Sequence, residues 1–461
     1  MTSDRLLIKG GRVFDGVSDD VLPKDILVEG DRIVEVSPLI EADAQVVNAA
    51  GKWVTPGFID MHVHLTGGKL GTLGWEVLPA LVGNGVTTVR DLGAHWTIET
   101  LGIGSNSRLL RQLSLDVESG KVVGPTIIFS GPPLHQFDPR MLQNPPMVEA
   151  LRGASEDPGS KPIESPEEAR EVVRRLIDEE GARSIKLYET IREPVAKAIF
   201  EAASGRAPVT GHLGLTSSKF AMRNGIGGVE HINQSPIRDL APPHRRIGPD
   251  DCLFTPGYAL TVLRAWADVD LNGPEVEDWL RTLVDTGSFM DPTVAVRDRN
   301  TQDPRRTLFP ISYHAAQRDG RGFGGGSAGS AAVFAGEEDT ARARANQRGL
   351  IKMIYDSGGD LVVGTDLLPG QLAGYKHHAS MLALQNRGMK PLDVLRATTS
   401  VSARHLWLDD IGQIAAGKRA DIAIFDRDLV SDIANVDSIS YVVRGGTLYE
   451  SAKLLALAKA V

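Results

Sequence analysis

His62 and His64 stand one residue apart in Gly57-Phe58-Ile59-Asp60-Met61-His62-Val63-His64. Side chains alternate along a β-strand, so this run is expected to set Asp60, His62 and His64 on one face and Ile59, Met61 and Val63 on the other. The apolar face would pack against helices and the polar face would turn inward. Two imidazoles so placed can ligate one metal ion, and zinc takes such nitrogens at about 2.0–2.1 Å. A hydrogen-bonded pair of core histidines has the same spacing, so the pair alone leaves both readings open.

Further candidates follow apolar runs along the chain. Pro208-Val209-Thr210-Gly211 leads to His212, Gly228-Val229-Glu230 to His231, and Val362-Val363-Gly364-Thr365 to Asp366. Each would sit at the end of a strand. Four histidines and an aspartate in this order read as a metal-ligand set. Lys186, in Ser184-Ile185-Lys186-Leu187-Tyr188, shares a face with Ser184 and Tyr188 by the same alternation, while Ile185 and Leu187 take the other. An inward lysine must find a partner or shift its pKa. A snorkelling or salt-bridged lysine is one reading. Beside a metal, the alternative is a neutral amine that adds carbon dioxide, giving an anionic carbamate able to bridge two ions. His95, His244, His314 and His405 are read as non-catalytic.

The elements that would position these groups form an α/β pattern. Strand-like runs near 58–64, 86–91, 126–130, 184–188, 207–212, 228–232, 287–294 and 361–366 alternate with helical stretches. In one of these, Glu167–Glu180, Ala169, Val172, Val173 and Leu176 recur at helical spacing. Eight such units predict a (β/α)8 TIM barrel, whose active sites lie at the C-terminal ends of the strands. Residues 1–56 and 410–461 instead read as short strands and turns, predicting a small composite β-sandwich built from both chain ends around a barrel of residues 57–409. The Gly/Ser-rich run at 320–330 falls in a long insertion between the last two barrel strands and is expected to form a loop, placed where a lid would be.

Composition narrows the function classes. The lone cysteine, Cys252, allows neither an intrachain disulfide nor a thiolate metal cluster, so any metal must rest on His, Asp, Glu or Lys. The formal charge is −9 with no basic stripe, which makes nucleic acid an unexpected partner. No stretch reaches the roughly 18 apolar residues of a membrane span. The start, MTSDRLLIKGGRVF, lacks the apolar core of a secretory signal. A cytoplasmic enzyme acting on a small molecule is expected, with no membrane partner, as a homo-oligomer.

Several motifs together resemble the metal-dependent amidohydrolase superfamily: Lys9-Gly10-Gly11-Arg12-Val13, Thr55-Pro56-Gly57-Phe58-Ile59-Asp60-Met61-His62-Val63-His64, Gly85-Val86-Thr87-Thr88-Val89-Arg90-Asp91, Gly412-Gln413-Ile414 and Gly417-Lys418-Arg419-Ala420-Asp421. The chain looks most like the imidazolonepropionase-like and prolidase-like branch. That resemblance implies two divalent ions, with His62, His64 and Asp366 on one and His212 and His231 on the other; a ligand set of nitrogen and oxygen without sulfur makes zinc the expected metal. It implies a carbamylated Lys186 bridging them and Asp366 as proton shuttle. The implied reaction is attack of a metal-bridged hydroxide on an amide or peptide bond, in an N-acyl amino acid, a dipeptide-like compound or an aryl amide. The Gly-Gly-His element of prolidase-like relatives is here Ser130-Gly131-Pro132-Pro133-Leu134-His135, which keeps the histidine and makes His135 a candidate substrate contact. Tyr188 is a second. Where relatives carry His-x-Glu after the last strand, this chain has Lys376-His377-His378-Ala379, which leaves the substrate class open. Rival readings are a cyclic amidase, an esterase, lactonase or phosphotriesterase on the same site, and a metal-free structural relative.

Overall fold

Short strands rich in branched apolar residues open the chain: β1 (Arg5–Val13), β2 (Leu22–Glu29), β3 (Arg32–Ser37), β4 (Gln45–Asn48) and β5 (Trp53–Pro56). Eight strands spaced by helices follow. They are β6 (Phe58–Val63), β7 (Val86–Asp91), β8 (Thr126–Phe129), β9 (Ile185–Leu187), β10 (Val209–Gly211), β11 (Gly228–Glu230), β12 (Phe289–Asp291) and β13 (Asp360–Leu361). The chain then returns to short strands, β14 (Ile422–Phe425), β15 (Ile439–Arg444) and β16 (Thr447–Glu450). The computed structural model describes residues 5–65, 73–93, 107–139, 162–252, 257–294, 335–367 and 373–459. His95, His314 and the 320–330 run expected as a lid lie outside the described residues.

Both chain ends share one sheet, ordered β16-β15-β14-β5-β1-β2-β3, with β4 also on β1. The expected sandwich of the ends is thus a single hydrogen-bonded sheet that forks at β1. Leu6–Lys9 pair with β4, whereas Arg12 and Val13 pair with β5. Between the two halves the pairing with β2 shifts register after Ile8. Gly10 supplies the left-handed backbone there (φ +72), and a side chain on Gly11 would meet Val54 Cγ2 at 2.4 Å. Ile8, Ile26, Val54, Ile422 and Ile424 form the core beneath this sheet.

β6-β7-β8 and β9-β10-β11-β12-β13 are two parallel arcs. Each meets the other at both ends. Val63 bridges Leu367 and Met61 N donates to Val363 O at 2.9 Å; at the opposite seam Leu134 bridges Leu187 and Arg183 N donates to Phe129 O at 3.0 Å. Strands β6 to β12 are buried throughout, the pattern of parallel strands covered on both faces.

The helix Pro166–Asp178 shows why the connections form as they do. Ser165 caps it by accepting from Glu168 N, Pro166 opens it, and Ala169, Val172, Val173 and Leu176 form its buried stripe. One element differs from the sequence reading. Ser451–Lys459 is a helix, not a strand, and Leu454 packs with Val82 and Val442 against the barrel side. A short apolar run carries no period long enough to separate the two states, so packing decides. Among the described residues no helix is long and apolar enough to cross a membrane.

Candidate metal centre

The polar residues of the parallel strands converge at their C-terminal ends. His62 and His64 rings lie 5.2 Å apart, His62 and His231 5.0 Å, and His212 and His231 4.2 Å. Asp366 reaches into the same cluster, with Oδ1 at 3.2 Å from His64 Nε2 and 3.6 Å from His62 Nε2. Ligand atoms of His62, His64 and Asp366 all lie within 4.8 Å of one another, as do those of His62, Glu230 and His231.

Each imidazole is held by one nitrogen. His62 Nδ1 donates to Asp291 Oδ2 at 3.1 Å, and His64 Nδ1 bonds the Gly93 carbonyl. His231 Nδ1 bonds Thr293 Oγ1 at 2.9 Å. His212 is held through Nε2, which bonds Gln234 Oε1 at 2.7 Å and lies 2.7 Å from Glu189 Oε1. An outer partner of this kind fixes the tautomer and aims the other nitrogen. For His62 that other nitrogen, Nε2, is buried without a hydrogen-bond partner, as suits a ligand atom. Burial, with the Lys186 charge nearby, keeps the His62 imidazole neutral well below its usual range. Burial also pushes the Asp291 carboxyl up to about 7, against the pull of Arg90. Burial works to raise Asp366 too, but its hydrogen bond to His64 and the neighbouring imidazoles outweigh it and hold the carboxyl well below the usual range.

The local backbone corrects the alternation argument at β6. Pairing with β7 shifts register at Phe58/Ile59 and again between Asp60 and Val63. A one-residue slip exchanges faces. Ile59 and Met61 pack with Phe289 and Val362 and with Ala403, Leu406 and Ile411 in and after the helix Ser400–His405. Asp60 accepts from Thr365 N at 3.1 Å and Thr365 Oγ1 at 2.8 Å and lies 3.6 Å from His377, on the helix Tyr375–Gln385. Asp60 therefore ties β6 to the segment after β13, while the histidines reach the centre. At β9 alternation holds: Ile185 and Leu187 join the outer core, and Lys186 turns to the centre.

Strained backbone concentrates here. Among the described residues, the non-glycine positions with left-handed φ are His231 (+61), Thr293 (+45), Asp366 (+51) and Trp407 (+55). Three of these four follow consecutive strands, β11, β12 and β13. Such conformations cost about 1–3 kcal/mol each and persist where the surroundings fix them. At His231 the consequence is direct: Glu230 and His231, adjacent in sequence, both face the centre. Glu230 pairs with Lys186 Nζ through Oε2 and with Arg90 Nη2 through Oε1 at 3.0 Å.

Sequence reasoning missed Glu230, Glu189, Asp291 and Arg90. Strict alternation from His231 would turn Glu230 to the opposite face; a buried-strand acid next to a candidate ligand was the available signal. Of the two candidate substrate contacts, Tyr188 stacks edge-on against His212 with centroids 5.4 Å apart. His135 follows Leu134, which bridges the strand bearing Lys186; burial lowers its pKa to about 4. His244 is on the surface beside Asp268, and His405 pairs with Asp360 at the start of β13, away from the strand ends that carry the cluster.

The arrangement offers a buried nest of imidazole nitrogens and carboxylates, with a lysine whose burial, added to the Arg90 charge, lowers its pKa to about 7. A model described as the amidohydrolase family matches residues 53–449. Dihydroorotase from Anaeromyxobacter sp. (strain K) is 43% identical over 65 residues, 14% of this chain and 15% of that protein, so the match spans a small part of the curated relative's length. A Xaa-Pro dipeptidase with methionine bound in its active site superposes with a TM-score of 0.65 at 18% identity, covering 97% of this chain and 100% of that one. A prolidase complexed with N-methylphosphonate-L-proline gives a TM-score of 0.63 at 23% identity, covering 97% and 99%. At these identities the likeness to the two structures is one of fold.

Proposed function

This chain belongs to the amidohydrolase family, and from that premise we propose that it is a hydrolase of amide or peptide C–N bonds that works with two divalent metal ions. The two parallel arcs are read as a closed (β/α)8 barrel carrying the site at its C-terminal end. The observation that carries the proposal is the orientation of the four histidines: each is held by an outer partner, and together they converge with Asp366 and Lys186. His62, His64 and Asp366 would hold one ion, and His212 and His231 the other. Lys186, as its carbamate, would supply the bridging anion. A donor set of nitrogen and oxygen without sulfur suits zinc. Bound divalent ions supply a nucleophilic hydroxide at neutral pH and polarise the scissile carbonyl.

The chain's own residues do the rest. Asp366, an ionised carboxylate at the edge of the histidine cluster, accepts a proton at attack and returns it to the departing amine. That return favours an amide, because an unprotonated amine anion leaves poorly. Tyr188 and His135 would contact the substrate beside this centre. An N-acyl amino acid, dipeptide-like compound or aryl amide fits this chemistry. The short dihydroorotase-like stretch favours a second reading, ring opening of a cyclic amide.

A hydrolysis screen of the metal-loaded protein over dipeptides, N-acyl amino acids, aryl amides, lactams and lactones separates the readings. Turnover of linear amides is expected. Turnover confined to lactams would select the second reading, and turnover confined to esters or lactones would reject both.

A further inference from the structure

Arg90, Glu230 and Lys186 form a buried line across β7, β11 and β9, with exposures of 0%, 0% and 2%. Arg90 is fixed on several sides: Nε donates to Met61 O at 2.6 Å, Nη1 to Thr210 Oγ1 at 3.0 Å, and the guanidinium lies 5.6 Å over the Phe289 ring. Its remaining arm, Nη2, holds Glu230 Oε1 at 3.0 Å. Glu230 therefore has one oxygen anchored and the other, Oε2, turned to Lys186 Nζ. A buried carboxylate is tolerated when paired in this way. What the pairing does for a carbamate is not explained by charge balance alone.

We infer that Glu230 is a positioning residue for the Lys186 carbamate, its Oε2 accepting the single N–H that the carbamylated nitrogen retains. This inference rests on the carbamate reading given above. Carbamylation starts from the neutral amine, after one proton has left the ammonium to water. The nitrogen lone pair forms a bond to the carbon of carbon dioxide, and a π pair of that carbon moves to oxygen. A second proton leaves nitrogen for water, giving R–NH–COO⁻ with one hydrogen on nitrogen. The group is planar, so the direction of that N–H sets the direction of both oxygens. A carboxylate accepting it makes a charge-assisted bond, shorter and stronger than a neutral one. Because Arg90 fixes Glu230, the acceptor is rigid, and the carbamate plane cannot rotate about Cε–Nζ away from the histidines. Arg90 also neutralises Glu230, so the carbamate meets an already paired acid.

The test uses the full-length, metal-loaded protein prepared with ¹³C-bicarbonate, read by the ¹³C carbamate resonance and by metal analysis, alongside kinetics and melting. In Glu230→Gln the amide oxygen stays with Arg90 and the amide NH₂ faces Lys186, setting donor against donor. The carbamate signal should fall by more than half, metal content should drop toward one ion, and kcat should fall with KM little changed. Glu230→Asp keeps the charge pair with Arg90, which protects folding, but withdraws the acceptor by one methylene; it should show an intermediate loss. A folded Glu230→Gln or Glu230→Asp protein with the full carbamate signal, both ions and normal kcat overturns the inference. A full carbamate signal with one ion lost also overturns it, by making Glu230 a direct ligand with His62 and His231. A wild-type protein with two ions and no carbamate signal rejects the carbamate reading itself and this inference with it.

Discussion

Lys376 Nζ donates to the backbone carbonyl of Asp366, beyond the end of β13, at 2.8 Å. Asp366 holds a left-handed backbone there, at φ +51. A non-glycine residue resists that conformation, so a charged donor on its carbonyl is a brace. Lys376→Met should lower kcat about ten- to hundred-fold, the range of a lost hydrogen bond to a charged group, with metal content unchanged. Lys376→Arg should recover part of it. Unaltered turnover in Lys376→Met would show that the Asp366 backbone holds its conformation without the lysine.

Asp366→Asn keeps the volume of the side chain and removes the base. Turnover should fall by about 10²–10⁴-fold, with folding and most bound metal retained. Steady-state kinetics beside metal analysis checks this. Near-normal kcat would move the shuttle role to another residue.

Lys186→Ala should lose the bridging anion, and metal content should drop toward about one ion per chain, because affinity follows ligand number and charge. Acetate or propionate added to this variant should restore some activity. Lys186→Arg should fail as well, since guanidinium stays protonated. The pH dependence has a definite sign. Burial, then the charge of Arg90, lowers the Lys186 pKa to about 7, so the amine is neutral above that pH and protonated below it. Reconstitution of metal-free protein with metal at a fixed concentration of dissolved carbon dioxide should therefore speed up as pH rises through about 7 and slow on acidification. A rate independent of pH across that range would count against amine carbamylation.

Asp291 orients His62, and the space it occupies is kept open by Gly364, where an added Cβ would stand 2.1 Å from Asp291 Oδ2. Asp291→Asn should weaken metal affinity by about 10–100-fold, the usual effect of losing an outer partner of a ligand. Gly364→Ala should act in the same direction by displacing the carboxylate. Competition with a calibrated chelator gives the affinities; wild-type values in both variants would show that His62 is held by other means.

Purified without chelator, the protein should carry about two divalent ions per chain, and chelation should abolish activity that added metal restores. Elemental analysis decides it. A folded, active, metal-free sample would end the metal-centre reading.

Residue pattern alone carried the strand order and the candidate groups: apolar runs of strand length, each ending in His, Lys or Asp, survive any ambiguity in helix spacing because a parallel strand is buried on both faces. The four histidines, Lys186 and Asp366 were therefore visible before folding brought them together. The helix Pro166–Asp178 was legible for the same local reason, its cap and stripe lying within a few turns. What alternation could not supply was any departure from alternation. The slips in β6 and the left-handed turns at His231, Thr293 and Asp366 are imposed by bonds to distant segments, such as Asp60 to Thr365 and Lys376 to Asp366. Those departures bring Glu230 beside His231 and set Asp291 behind His62. The C-terminal helix was settled likewise, by packing of Leu454 against Val82, and the sheet of the chain ends by pairings as near as Arg12 with Trp53 and as far as Thr55 with Ala423. Local spacing determined which side chains were available; only tertiary contacts decided which of them face one another, because register and backbone strain are paid for by partners that no short window of sequence contains.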